Sequence, residues 1–206
     1  EYFYNHSDKI IKVQIFNNNK LDSETNYEYD KNGNIIKETT FTTSLGVPQY
    51  SYLAYEYNEQ SLISKTQTYL KMADENYELR STAKYEYDIK NRLSKTKIYS
   101  PDNVERKFTE LFYDVNGNVI EKNFYQDGKL SFNDKYEYDD MNNPLRQNTA
   151  GISVYAISKN NVIKHTQINF MMGNDNSITE FKYEYNSNGY PTSYSYDSQI
   201  FYFDYY

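Results

Sequence analysis

A length of 206 residues, 38% hydrophobic and 25% charged, suits one large all-β domain. With no Pro-, Gly- or Ser-rich linker, the chain reads as a single domain over residues 1–206. The net charge of −7 and a pI near 5.0 repel a phosphate backbone and argue against nucleic acid as a partner, and the lack of cysteine excludes disulfide staples and thiolate metal sites.

From the N-terminus, Tyr2-Phe3-Tyr4-Asn5 opens a short phrase that returns at Tyr27, Tyr55, Tyr85, Leu111, Tyr136, Tyr155 and Tyr183, eight copies in all. Such recurrence marks a repeat architecture. The first and third places are aromatic in nearly every copy. Between them stands Glu28, Glu56, Glu86, Glu137 or Glu184, replaced elsewhere by Phe3, Phe112 and Ala156. The fourth place is Asn5, Asp30, Asn58, Asp88, Asp114, Asp139, Ser158 or Asn186. Its side-chain oxygen can fold back onto amides ahead of it and begin a turn.

Asn32-Gly33, Asn116-Gly117 and Asn188-Gly189 then supply a residue free to take positive φ, where Gln60-Ser61, Asn91-Arg92 and Asn142-Asn143 stand in other copies. An aliphatic place follows at Ile10, Ile35, Ile63, Leu93 and Val119, giving way to Pro144 and Pro191. Two residues on comes a charge, Lys12, Lys37, Lys65, Lys95, Glu121 or Arg146, and an aromatic closes the unit at Phe16, Phe41, Tyr69, Tyr99 and Tyr125. Period two runs through these segments, the signature of strands, and no segment has helical periodicity.

Linking segments at Phe16 to Leu21, Ser44 to Pro48, Ser100 to Asn103 and Tyr125 to Leu130 form a second set of turns at the opposite end. The fold class is therefore all-β, an antiparallel up-and-down meander of about 14–16 strands forming a large barrel, a flattened barrel or a curved open sheet. A three-residue turn closed by a glycine bulge pairs Tyr29 with Ile35 and Tyr27 with Lys37, placing Tyr27, Tyr29, Ile35, Phe41 and the Lys37 stem on one face. A four-residue turn would instead set Glu28 against Lys37. The aromatic ends, Tyr2 to Tyr4 and Phe201 to Tyr206, are expected to pair or pack and so protect sheet edges. Twenty-six tyrosines without tryptophan place much of the buried surface in rings tipped by a hydroxyl. No apolar run is long enough for a membrane helix, and charge at mid-strand on both faces disfavours a membrane pore.

The phrase Tyr-Asp-x-Asn-Gly-Asn, at Tyr29 to Asn34 and Tyr113 to Asn118, resembles the tyrosine-aspartate (YD) repeats of Rhs-like proteins. Those repeats form long β-sheet shells in secreted bacterial toxins and surface proteins. The longer phrase, with Tyr-Glu-Tyr and a following Lys, is similar to secreted bacterial lipoprotein domains of unknown function with a porin-like fold. The resemblance implies architecture and export, to the periplasm or cell surface, with a lipid anchor ahead of Glu1 as one form. The start at Glu1, without methionine or signal peptide, fits either a removed export signal or a trimmed chain. Neither family supplies a catalytic residue to carry over.

The residues offer little chemistry of their own. Asp30 to Asn34 alternates oxygen ligands but lacks the later Glu of a calcium loop and reads as an Asx turn. The Glu series, repeated along alternate strands, reads as a solvated face rather than a glycosidase pair. His6 and His165 have no Ser, Cys or acid pattern nearby, and no Ser-His-Asp order or phosphate loop is present. The tyrosine stripe reads as core before it reads as a stacking platform. No catalytic, cofactor-binding or metal residue is assigned, no cofactor is expected, and the ligand-binding residues are unknown.

The expected function is a non-enzymatic binding or scaffold module with a glycan, peptide or protein ligand. An Rhs-like shell segment enclosing or displaying another polypeptide is the alternative, and a carbohydrate-active enzyme the third. Specificity is expected where the phrase fails: at Phe3 and Phe112, at Pro144 and Pro191, and over Asn148 to Asn176.

Overall fold

A computed structural model describes residues 1–43, 47–71, 76–146 and 153–203. Most of the Ser44 to Pro48 link, the first part of the Asn148 to Asn176 stretch and the last three residues of the aromatic C-terminus lie outside the described residues. In chain order the strands are β1 (Tyr2–Tyr4), β2 (Ile10–Asn17), β3 (Lys20–Tyr29), β4 (Ile35–Thr42), β5 (Gln49–Tyr57), β6 (Ile63–Lys71), β7 (Tyr77–Tyr87) and β8 (Leu93–Tyr99). They continue with β9 (Glu105–Tyr113), β10 (Val119–Gln126), β11 (Lys129–Tyr138), β12 (Val162–Asn169), β13 (Asp175–Glu180), β14 (Lys182–Tyr185), β15 (Pro191–Tyr196) and β16 (Gln199–Tyr202).

Strands β1 to β13 hydrogen-bond in strict sequence order as one sheet, and β14 to β16 form a second, three-stranded sheet. The predicted all-β meander is therefore present. The order does not return from β13 to β1, so the larger sheet has two edges. The terminal strands are not each other's partners, since β1 pairs with β2 and β16 with β15. Each lies beside its own sequence neighbour because a short turn makes that pairing the cheapest in chain entropy. The chain divides into two compact units, Glu1–Glu86 with Lys97–Arg106, and Tyr87–Thr96 with Lys107–Tyr206.

In the first unit the repeat phrase folds as a hairpin pinned by its fourth residue. Asp30 Oδ1 accepts from the Asn32 and Asn34 amides, both at 2.8 Å, and the Asp30 amide donates to the Asn34 carbonyl at 2.9 Å. Gly33 sits at φ +85°. Asn58 makes the same bonds to Gln60 and Leu62, with Ser61 at φ +60°, so the turn survives without glycine. In the fourth copy, within the second unit, the positive-φ place is Asn91 rather than Arg92, again pinned through Asp88. Two-residue turns link the hairpins at Asn18-Asn19, Asp127-Gly128 and Asp197-Ser198, all at positive φ, as tight hairpins between twisted strands require.

The register departs from the predicted one. Tyr29 faces Ile35 as expected, but the ladder then skips Ile36, so Glu28 faces Lys37 and Tyr27 faces Glu38. An unpaired residue at the same place recurs in other copies, with Phe3 opposite Lys12 and Glu56 opposite Lys65. A bulge reverses the alternation of faces beyond it. Lys37 and Phe41 therefore leave the tyrosine face for the Glu28 face, while Glu38 and Thr40 join Tyr27 and Tyr29. The exchange is satisfied on both sides: Lys37 meets Glu28 at 3.1 Å, and Tyr55 donates to Glu38 Oε1 at 2.7 Å. Such exposed ion pairs are worth only a few tenths of a kcal/mol each.

The bulge also gives the repeated tyrosine its task. The β4–β5 ladder stops at Lys37 opposite Ala54, leaving the Ile35 carbonyl beyond it, and the Tyr57 hydroxyl donates to that carbonyl at 2.7 Å. Tyr29 does the same to Ile10 at 2.5 Å. In the second unit Tyr113 reaches Leu93 at 2.8 Å and Tyr138 reaches Val119 at 2.5 Å. These four third-place tyrosines thus staple their hairpins to the preceding ones by satisfying acceptors the ladder cannot reach.

Among the described residues the buried hydrophobic side chains, Leu93, Leu111, Val119, Tyr136, Val154 and Val162, all belong to the second unit. There the sequence reading needs its largest correction. Tyr155 does not open a seventh copy; Val154–Ile157 is a single helical turn, α1. The partner of Asp139 is Asn161. The Asp139 amide donates to the Asn161 carbonyl at 3.2 Å, and Asp139 Oδ1 accepts from the Asn161 amide at 3.1 Å, repeating the Asp30–Asn34 clamp. Val162 then faces Tyr138 and Lys164 faces Glu137. The aliphatic place of the sixth copy is Val162, not Pro144, and residues 140–160 are an insert within one turn. Pro191 does hold its predicted place, opposite Tyr185.

Candidate functional site

The insert is anchored by asparagines. Asn118 Nδ2 donates to Asn160 Oδ1 at 3.1 Å, and the Asn160 amide donates back to Asn118 Oδ1 at 2.9 Å. Asn143 Nδ2 donates to the carbonyls of Tyr155 and Ser158 at 2.7 and 2.9 Å. Ser158 Oγ accepts from the Val119 amide at 3.2 Å. Asn118, Ser158, Asn160 and Asn161 are all buried, and buried polar groups of this kind hold position because each has a partner. The Asn142 amide donates to the Gly189 carbonyl at 3.0 Å, and Tyr185 donates its hydroxyl to Asp139. The small sheet is thereby held to the insert.

Between the insert, the end of the large sheet and the small sheet lies a pocket of about 370 Å³. Tyr155 and Leu145 come from the insert, Val162 and Thr179 from β12 and β13, and Phe181, Tyr183, Tyr194, Tyr196 and Phe203 from the small sheet and its flanks. Ring planes meet steeply, 71° between Tyr155 and Phe181 and 55° between Phe181 and Tyr196, with centroids 5.9 and 5.3 Å apart. Tyr194 stacks on Phe201 at 4.8 Å. No charged side chain lines the pocket among the described residues. Burial, followed by the charge of Asp134, pushes the Tyr155 hydroxyl up to about 12. Burial and the charge of Asp139 push Tyr183 up as well. These hydroxyls stay protonated, neutral donors across the ordinary pH range.

Across β10, β11 and β12 a second polar group was illegible in the sequence. His165 Nε2 lies 2.9 Å from Asp134 Oδ1, Gln167 donates to the same oxygen at 2.8 Å, and Lys122 Nζ is 3.3 Å from Oδ2. Tyr136 stacks on His165 at 4.7 Å. Burial pushes the Asp134 carboxyl up, but the bonds from His165 and Gln167 and the Lys122 charge outweigh it and hold Asp134 below the usual carboxylate range. The reading that His165 lacks a nearby acid fails because strand pairing brings Lys122, Asp134 and Gln167 into one row.

Phe3 and Phe112 are not among the residues that line the pocket. Phe3 and Phe112 occupy the outward Glu place and are half exposed, facing Lys12 and Glu121. Asp30 to Asn34 spends its oxygens on the turn: Oδ2 accepts from Asn34 Nδ2 at 3.1 Å and Oδ1 takes the two amides. Glu28, Glu56 and Glu137 are exposed and paired with lysines.

No protein-family model matches the sequence, and no curated protein matches it. Solved structures do. A porin-like protein from Bacteroides uniformis superposes with a TM-score of 0.54 at 12% identity, over 94% of this chain and 80% of that one. A porin-like protein from Bacteroides vulgatus gives 0.44 at 13%, over 87% and 88% of the two chains. The Tc holotoxin pore of Photorhabdus luminescens gives 0.42 at 14%, over 94% of this chain and 11% of that one. The first likeness establishes the fold. No helix among the described residues is long and apolar enough to cross a membrane.

Proposed function

We propose that this chain is an exported, non-enzymatic β-repeat module of the bacterial periplasm or surface, in which the repeated hairpins are scaffold and the aromatic pocket beside the insert binds a ligand. One observation carries the reading: the pocket forms where a turn is opened to admit residues 140–160, and its exposed chemistry is rings and neutral hydroxyls instead of paired acids or a nucleophile with its base. Apolar concavities with a few polar groups are the usual form of a small-molecule site. The porin-like fold supports export without fixing the compartment.

Ligand-observed NMR against a panel of glycans, peptides and small organic ions tests the binding role. At least one member binds, and Phe181→Ala weakens that binding at least tenfold while the far-UV spectrum is kept. A panel in which every hit survives the substitution sinks the reading. Fractionation of the producing cells tests export, and a wholly cytosolic protein refutes it.

A further inference from the structure

Resting on the pocket's role in binding, the chemistry of its walls narrows the ligand. The rings of Tyr155, Phe181, Tyr183, Tyr194, Tyr196 and Phe203 border one space; Tyr183, Tyr194 and Tyr196 form a nearly parallel row, 28° and 9° apart, while Phe181 stands at 55° to Tyr196 and Tyr155 at 71° to Phe181, so these two rings bound the space from other directions than the row. Aromatic faces carry negative potential and attract cations, most effectively where water is excluded. Among the described residues no Lys, Arg or His lines the space to compete. An anion would lose its hydration there and gain no counterion.

Among cations and neutral ligands, hydrogen bonding decides. Both lining asparagines are committed to the fold. Asn143 Nδ2 serves the Tyr155 and Ser158 carbonyls and its Oδ1 accepts from the Leu145 amide, while Asn161 Nδ2 serves Asp139 and the Asn142 carbonyl. The acceptors left on the walls are the neutral hydroxyls of Thr179 and the tyrosines, with no carboxylate among the described lining residues, so a primary ammonium would exchange its hydration for uncharged partners at a cost, and a sugar, which can share hydroxyls, gains nothing from the negative ring faces. A fully alkylated ammonium brings no N–H donor and an apolar methyl surface. We propose that the pocket receives a quaternary ammonium group, with the remainder of its volume open to the chain that carries it.

The test titrates the whole protein with choline and tetramethylammonium chlorides, with 3,3-dimethyl-1-butanol as the uncharged isostere of choline, and with methyl glucoside, at matched ionic strength. Choline binds at least tenfold more tightly than the isostere. Phe181→Leu and Tyr194→Leu, which keep apolar bulk and remove the π face, abolish at least fivefold of that preference. Tyr196→Phe, which keeps its ring, retains it and reports that the fold tolerates substitution at this wall. Equal binding of choline and the isostere, or binding of methyl glucoside alone, overturns the ammonium assignment and leaves the pocket a binding site. Absence of binding by every probe overturns the ammonium assignment, and a failed wider panel would then remove the pocket's binding role as well.

Discussion

Replacing Tyr138 by Phe removes one oxygen and tests the stapling of hairpin to hairpin. That hydroxyl donates to the Val119 carbonyl at 2.5 Å and lies 2.9 Å from Ser158 Oγ. Val119 and Ser158 are each 0% exposed, so water cannot take the hydroxyl's place. Leaving a buried acceptor unsatisfied costs about 1–3 kcal/mol. Ser158 keeps the Val119 amide as a partner, so its share of the loss is small and the net effect is about 2 kcal/mol. In a chain of this size the melting temperature falls by roughly 4–8 °C. Urea unfolding followed by far-UV circular dichroism measures the change through the midpoint at constant slope. Glu137→Gln in the same unit is the control. Its ion pair with Lys164 is exposed, so its loss costs about 0.5 kcal/mol or less. A Tyr138→Phe protein no less stable than the Glu137→Gln protein would refute the stapling argument.

Replacing residues 140–160 by Lys-Asn-Gly should leave the β11–β12 hairpin folded, because Asp139 and Asn161 already make the bonds of the shorter turns; hydrogen exchange on β12 is the measurement, and ligand binding is lost with the pocket wall. In acid, Asp30 is held below the usual carboxylate range chiefly by the Asn34 amide; in Asp88 burial pushes the carboxyl up, but the Arg92 amide and guanidinium and the Lys90 amide together outweigh it. A depressed folded pKa stabilises above the unfolded value and is lost as pH falls below it. Asp30→Asn, which copies Asn58, therefore leaves neutral stability nearly unchanged and flattens the decline below about pH 4, read by acid titration of ellipticity. In alkali the sign is opposite. Tyr113 and Tyr155 are raised to about 12, chiefly by burial, so their contribution is complete below pH 10 and is lost toward pH 12. Absorbance at 295 nm should show a class of tyrosines ionising only with that loss.

The repeat phrase itself carried the strands, the Asx turns and the all-β class, because each depends on residues a few places apart. Asp30 bonds to Asn34, and Gly33 or Ser61 takes the strained angle, whatever lies elsewhere in the chain. Even the Glu28–Lys37 pairing was present in the sequence as a rival register. It prevails because the skipped Ile36 lets Tyr29 keep Ile35 while Glu38 finds Tyr55 on the neighbouring hairpin, a partner no local rule supplies. The sixth copy shows the same limit. Asp139 has its clamp in Asn161, but the long insert hides the match, and Tyr155 imitates a new copy by composition while folding as a helical turn. The pocket and the Asp134–His165 pair belong wholly to tertiary structure, because their residues are distant in sequence and meet only when hairpins align. Local chemistry determined what each hairpin is, and the packing of unlike neighbours decided where the chain could do more than repeat itself.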